Sequence, residues 1–216
     1  VTTPPQRPLR IAVLLSGGGR TLQNFIDLRA VGNLPIEIPI VIGSRAGLYG
    51  LERAANAKIP SQVVDRKRFA SLNDFSDSIF ALCDQAKVDL ICLAGWLCLL
   101  NLPDRYLGRA MNIHPALLPS FGGKGMFGHH VHQAVINHGC KVSGCSVHFL
   151  DNSYDTGPII LQRTCPVLDD DTADTLAARV FEQETIAYPE AIRLFAQGRL
   201  KIEGSRVRNL PKPAGY

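Results

Sequence analysis

Ile11-Ala-Val-Leu-Leu15, closed by Ser16-Gly-Gly-Gly19 and followed by Thr21-Leu-Gln-Asn-Phe-Ile-Asp-Leu28, is the stretch that decides the fold. A continuous apolar run has no solvent face, so it reads as a strand buried on both sides. Leu22, Phe25 and Ile26 then recur at helical spacing. A buried strand, a glycine turn and an amphipathic helix open a parallel β-α-β unit.

The alternation continues outward. Strands are expected at Ile36–Ile42, Gln62–Asp65, Val88–Ala94 and Ala110–His114, with helices at Leu48–Ala57 and Leu72–Ala86. Pro115 to Gly128 holds two prolines and four glycines and reads as a loop. Gln133–Asn137 is helical in pattern, and Thr172–Gln197 is a long amphipathic helix behind the acidic trio Asp169–Asp171. Ser143–Leu150 and Ile159–Val167 flank a polar loop with no helix between them, which predicts an antiparallel pair. The fold class expected is α/β: a Rossmann-like open, mostly parallel twisted sheet with helices on both faces and an antiparallel edge pair. One domain over residues 9–203 is expected, with residues 1–8 a flexible arm rather than a signal peptide and residues 204–216 a surface tail.

Composition narrows the function classes. Apolar residues make up 46% and charged residues 19%, which excludes wholesale disorder. No apolar run reaches transmembrane length, so a cytoplasmic protein without membrane partners is expected. The net charge of +4 lies in no single basic run, which disfavours nucleic acid and suits small anionic substrates. Cys83, Cys92, Cys98, Cys140, Cys145 and Cys165 form no CxxC pair, so reduced thiols are expected. His129, His130, His132 and His138 have no carboxylate at helix-face spacing, and no metal site is expected.

Three segments carry chemistry. The Ser16–Thr21 turn can offer free helix N–H groups to a phosphate, but Leu22 stands where a dinucleotide fingerprint wants Gly or Ala. In Asn112-Ile-His-Pro115, residues two apart on a strand share a face, so Asn112 and His114 form a candidate oxyanion clamp. Asp155 lies in Asp151-Asn-Ser-Tyr-Asp-Thr-Gly-Pro158, which composition alone reads as a turn.

Together the blocks resemble the folate-dependent formyltransferases. The likeness runs from about Arg10 to Pro211 through Val13-Leu-Leu-Ser-Gly-Gly-Gly19, Gly50-Leu-Glu-Arg53, Leu93-Ala-Gly-Trp-Leu97, Asn112-Ile-His-Pro-Ala-Leu-Leu-Pro-Ser120, Ser146-Val-His-Phe149 and Tyr154-Asp-Thr-Gly-Pro-Ile-Ile-Leu-Gln162. The glycine turn and the helix holding Glu184 point to the branch that formylates glycinamide ribonucleotide. The resemblance implies Asn112, His114 and Asp155 as catalytic residues, and Gly19, Arg20, Thr21 and Glu184 as ribonucleotide contacts. It implies folate contacts at Leu97, Cys98, Leu99, Leu100, Asn112, Asp151 and Asp155. The implied co-substrate is 10-formyltetrahydrofolate, the acceptor is the amine of 5'-phosphoribosylglycinamide in purine biosynthesis, and the chain is a monomer or homodimer. Arg20-Thr21 replaces the family's usual Ser-Asn, Cys98 its usual Arg, and Leu72 an Arg offered to the folate. The loop after Pro119 is about four residues longer than usual.

On this resemblance, Asp155 raises the pKa of His114 and favours a charged imidazolium donor. A formyl-folate hydrolase shares the trio but usually carries an N-terminal regulatory domain, and methionyl-tRNA formyltransferase a C-terminal RNA-binding domain; neither has room here. An NADP oxidoreductase explains Gly17 and Gly19 and leaves Asn112 and His114 idle. A non-catalytic nucleotide-binding module needs neither.

Overall fold

The computed structural model describes residues 7–211. The chain divides between Cys98 and Leu99 into two compact units.

In the first unit, β1 (Leu9–Leu15) pairs in parallel with β2 (Ile36–Gly43) and with β4 (Leu90–Leu93), and β2 pairs in parallel with β3 (Ser61–Val63). The connections are α1 (Arg20–Ala30), α2 (Tyr49–Asn56) and α3 (Leu72–Gln85). Ile11 to Leu15 are fully buried, as a strand covered on both faces demands. The helices turn Leu22, Phe25, Ala54, Phe75, Ile79 and Phe80 inward. Ser71 caps α3 by accepting the Asp74 N–H at 3.0 Å. Arg7 pairs with Asp89 at 2.7 Å, and residues 1–6 of the expected N-terminal arm lie outside the described residues.

The second unit is built on antiparallel pairing. β5 (Ala110–His114) pairs with β6 (Val142–Phe149), and β6 pairs with β7 (Ile159–Pro166). β6 and β7 approach closely at Gly144, where a Cβ would collide with the Arg163 carbonyl oxygen of β7. α4 (His129–Asn137) begins four residues before the expected helix, directly after Gly128. α5 (Ala173–Ala196) starts from a Thr172–Thr175 capping box and buries Leu176, Val180, Ala187, Tyr188 and Ile192. The Tyr188 hydroxyl donates to the Met111 carbonyl of β5 at 2.9 Å. The acidic trio is used unevenly, for Asp171 alone takes a bidentate pair of bonds from Arg179, at 2.6 and 2.9 Å.

One expectation fails at the C-terminus. Residues 204–209 are not a tail: β8 (Leu200–Glu203) and β9 (Arg206–Asn209) form a hairpin about Gly204-Ser205, and β9 joins β7 at Ile159. The signal was present but short: Leu200-Lys-Ile-Glu203 and Arg206-Val-Arg-Asn209 alternate on either side of Gly204-Ser205 in a mostly exposed ribbon. Residues 212–216 lie outside the described residues.

The contact at Gly144 makes the β6–β7 pairing intolerant of any side chain. Gly144→Ala is expected to cost about 3 kcal/mol, the upper range for an overpacked interior site. The urea midpoint of that variant measures it, and a shift no larger than that of an exposed-site control would contradict the close approach.

Candidate active site

Antiparallel register builds the site. Asn112 lies directly opposite His148, and His114 directly opposite Ser146, so four polar residues of β5 and β6 share one face. Behind them Ile113 and Val147 pack into the core. The loop between β6 and β7 then brings Asp155 over that face. Its Oδ2 lies 3.5 Å from His114 Nδ1, and its Oδ1 lies 3.4 Å from Asn112 Nδ2 and 3.6 Å from His148 Nε2. The Gly123 N–H donates to Oδ2 at 3.0 Å. Asn112, His114 and Asp155, chosen from separate stretches of sequence, are therefore brought together.

His148 is the residue that sequence reasoning missed. It was read only within the Ser146–Phe149 block. The signal that would have found it is pairing: laying Ser-Val-His antiparallel against Asn-Ile-His puts every polar residue on one face. Ser146 has a different task. Its buried hydroxyl donates to the Ala116 carbonyl at 2.7 Å and accepts from the Leu118 N–H at 2.9 Å and from Gln162 Nε2 at 2.8 Å. One donor and two lone pairs are all used, which pins the chain just after His114.

Burial pushes the His114 ring below its ordinary pKa; Asp155 and the Phe121 carbonyl oppose this without overcoming it. The expectation of a resting imidazolium is thus corrected. His114 is 3% exposed, and the loss of hydration outweighs a carboxylate standing 3.5 Å away. Its Nε2–H donates to the Phe121 carbonyl at 2.8 Å, which fixes the tautomer. Burial pushes the Asp155 carboxyl upward, but His148, His114 and the Gly123 N–H together hold it below the ordinary carboxylate range. Asp155 is ionised at neutral pH.

A cavity of about 300 Å³ opens beside Asp155, lined among others by Leu118, Gly122, Gly123, Tyr154 and Ile159. Asp151 closes the adjoining turn, accepting the Ser153 N–H at 3.0 Å and the Thr156 hydroxyl at 2.7 Å. Glu184 sits half-buried on α5, its charge felt at Cys145 of β6.

Gly19, with φ 69°, ends the glycine turn and α1 starts at Arg20 with no side-chain cap on its N-terminus. A Cβ on Gly19 would meet the Gly50 Cα at 2.6 Å, so the turn packs against α2 too closely for a side chain at Gly19. Arg53 holds the turn, donating to the Gly18 carbonyl at 2.9 Å and to Gln23 Oε1 at 2.8 Å, with its guanidinium over the Tyr49 ring. Arg20 is exposed and Thr21 half-buried. Leu97 is exposed and donates its N–H to Ser16 Oγ at 3.2 Å, and Cys98 is half-buried. Leu99 is half-buried and Leu100 buried at the start of the second unit. In the place of the usual folate arginine, Leu72 opens α3, preceded by a short turn Arg66–Arg68 with Lys67 and Arg68 exposed. Among the described residues no three His, Cys, Asp or Glu side chains stand together as a metal-ligand set, and no helix is long and apolar enough to cross a membrane.

A strand-borne Asn-x-His, an ionised aspartate over it and a glycine turn opening a helix define a class. Residues 9–192 match the formyl transferase family, and the chain belongs to that family. Among its relatives, phosphoribosylglycinamide formyltransferase of Haemophilus influenzae is 38% identical over 96% of this chain and 98% of its own. That of Escherichia coli is 35% identical over the same shares. Glycinamide ribonucleotide transformylase 1 of Symbiobacterium toebii, a solved structure, superposes with a TM-score of 0.89 at 42% identity, covering 96% of both chains. The chain also matches trifunctional purine biosynthetic proteins, such as that of Gallus gallus at 38% identity, and spans only 19% of that relative's length.

Titration of the buried histidines has a definite sign. His132 is 4% exposed with its Nδ1 unpartnered, and burial, with His129 and His114, pushes its pKa down to about 4. An unfolded histidine titrates near ~6.5. Between those values the unfolded chain binds more protons, so stability falls as pH drops from ~6.5 towards 4, His114 adding in the same direction. Asp155 acts in a lower window, its contribution being lost only below the ordinary carboxylate pKa. Urea midpoints between pH 4 and 7 should slope upward in the parent protein and less so in His132→Phe. Equal slopes would remove His132 from the account.

Proposed function

We propose that this protein transfers the formyl group of 10-formyltetrahydrofolate to the amine of 5'-phosphoribosylglycinamide, giving the N-formyl product and tetrahydrofolate, in purine biosynthesis. The observation that carries the reading is the ionised Asp155 set between His114 and Asn112 at the mouth of a cavity. In this reading residues 9–203 act as one domain in the cytoplasm, with two small-molecule substrates and no metal.

The amine attacks the formyl carbon, a C–N bond forms, and negative charge grows on the formyl oxygen. His114 and Asn112 face that oxygen once it displaces the loop carbonyl now held by His114. The ring rests neutral and donates its Nε2–H to that oxygen, a bond that strengthens as the negative charge grows. Asp155 takes the proton leaving the attacking amine and passes it to the folate nitrogen as the old C–N bond breaks. Holding both substrates together lowers the entropic barrier.

The contacts assigned to substrates rest on resemblance and chemistry. Gly19, Arg20 and Thr21 receive the phosphate, because an uncapped helix N-terminus next to a cation attracts an anion. Glu184 holds the ribonucleotide, while Leu97, Cys98, Leu99, Leu100 and Asp151 hold the pterin.

Mixing the protein with 10-formyltetrahydrofolate should release the formyl group only when the ribonucleotide is present; release without it would indicate a hydrolase. Arg20→Ala should raise KM for the ribonucleotide several-fold and leave KM for the folate near its parent value. The opposite pattern would mean that the two substrate sites are reversed. Asp155→Asn should lower kcat by about 10²–10⁴-fold with little change in ribonucleotide affinity. A loss confined to KM would remove Asp155 from proton transfer.

A further inference from the structure

We propose that His148 is a positioning residue that fixes which end of the Asn112 carboxamide faces the reacting formyl group. The inference rests on the formyl-transfer reading. Its geometry is independent of that reading.

An amide can be turned by half a rotation with little change in shape, exchanging a donor for an acceptor. At an oxyanion site that exchange is decisive, since NH₂ stabilises the growing charge and C=O repels it. Something must choose, and the bonds show what does.

His148 Nδ1 lies 2.9 Å from the Phe149 carbonyl oxygen. A carbonyl only accepts, so Nδ1 carries the hydrogen and the lone pair lies on Nε2. That lone pair faces Asn112 at 3.2 Å. Asp155 Oδ1 approaches the same amide nitrogen at 3.4 Å. Two acceptors converge on one atom of Asn112, and only NH₂ satisfies both.

The two bonds are unequal. His148 holds the first N–H, and the second points at the edge of the Asp155 carboxylate across a distance near the limit for a hydrogen bond. That second N–H is the one given to the formyl oxygen. Asp155 alone would bind NH₂ too, but it lies in a loop and itself exchanges protons in the reaction. His148 is 3% exposed and directly paired with Asn112 across β5 and β6, so its lone pair is fixed by the sheet. The charged and titratable groups facing it are Asp155 from the loop and His114 from β5.

A double-mutant cycle on the full chain tests this, with kcat and both KM values measured in the formyl-transfer assay. His148→Ala should lower kcat by about 10–10²-fold, less than deletion of an oxyanion donor outright, and move either KM by less than about threefold. In an Asn112→Ala background the same change should cost less than about twofold, because His148 acts through Asn112. His148→Gln can return an acceptor to the place of Nε2 and should recover kcat to within about tenfold of the parent, whereas the shorter His148→Asn should not. Losses that multiply in the double variant, or a KM effect without a kcat effect, would overturn the proposal. Should the alanine variants fail to fold, equal activity of the Gln and Asn variants overturns it, and recovery by Gln alone supports it. An active parent with additive losses refutes only the role of His148; a parent that transfers no formyl group refutes the transferase reading as well.

Discussion

A carboxylate taken out of water must be met by donors, and the site is organised around meeting Asp155. Its loop carries it into a pocket where its side chain is 11% exposed. An uncompensated charge there would neutralise itself by taking up a proton. Instead the Gly123 N–H donates to it at 3.0 Å, the Asn112 amide nitrogen stands 3.4 Å away, and the carboxyl stays ionised. The backbone is bent to make this possible. Asp155 and Phe121 are both non-glycine residues in the left-handed region, at φ 58° and 55°. Aspartate tolerates that region, whereas a bulky residue does so only when its surroundings hold it there. Phe121 is held by its carbonyl bond to His114 and by an edge contact with the His138 ring.

The same pocket sets the histidine. Burial and the nearby carboxylate pull the His114 pKa in opposite directions, and burial prevails. In the proposed reaction an N–H donor beside growing negative charge acts on the transition state, because the favourable interaction grows with the reaction. In the free protein its Nε2–H already has a partner in the Phe121 carbonyl. In the proposed reaction the formyl oxygen would take the place of that carbonyl, so the buried donor would stay paired.

Much of the fold was legible because its strands are apolar on both faces and its turns are marked by Gly and Pro. β5 was read at its true bounds, since Ala110 begins the run and Pro115 ends it. The β8–β9 hairpin was missed, because its two four-residue alternations about Gly204-Ser205 are short and bury little. Asn112 and His114 could be placed on one face by strand period alone. Asp155 looked like a turn former until resemblance singled it out, and His148 was invisible without the cross-strand register. The protonation state of His114 was beyond sequence reading: it depends on how completely water is excluded, and no local pattern of residues encodes that.

The account stands on Asp155 being an anion in its pocket. A carbon-13 NMR titration of the Asp155 side-chain carboxyl, assigned by comparison with Asp155→Asn, measures this directly. The account predicts a midpoint below the ordinary aspartate value, with the carboxylate signal unchanged from neutral pH down to that point. A midpoint above the ordinary value would mean that burial outweighs the surrounding donors, that Asp155 is held as the neutral acid, and that the central charge of the site does not exist.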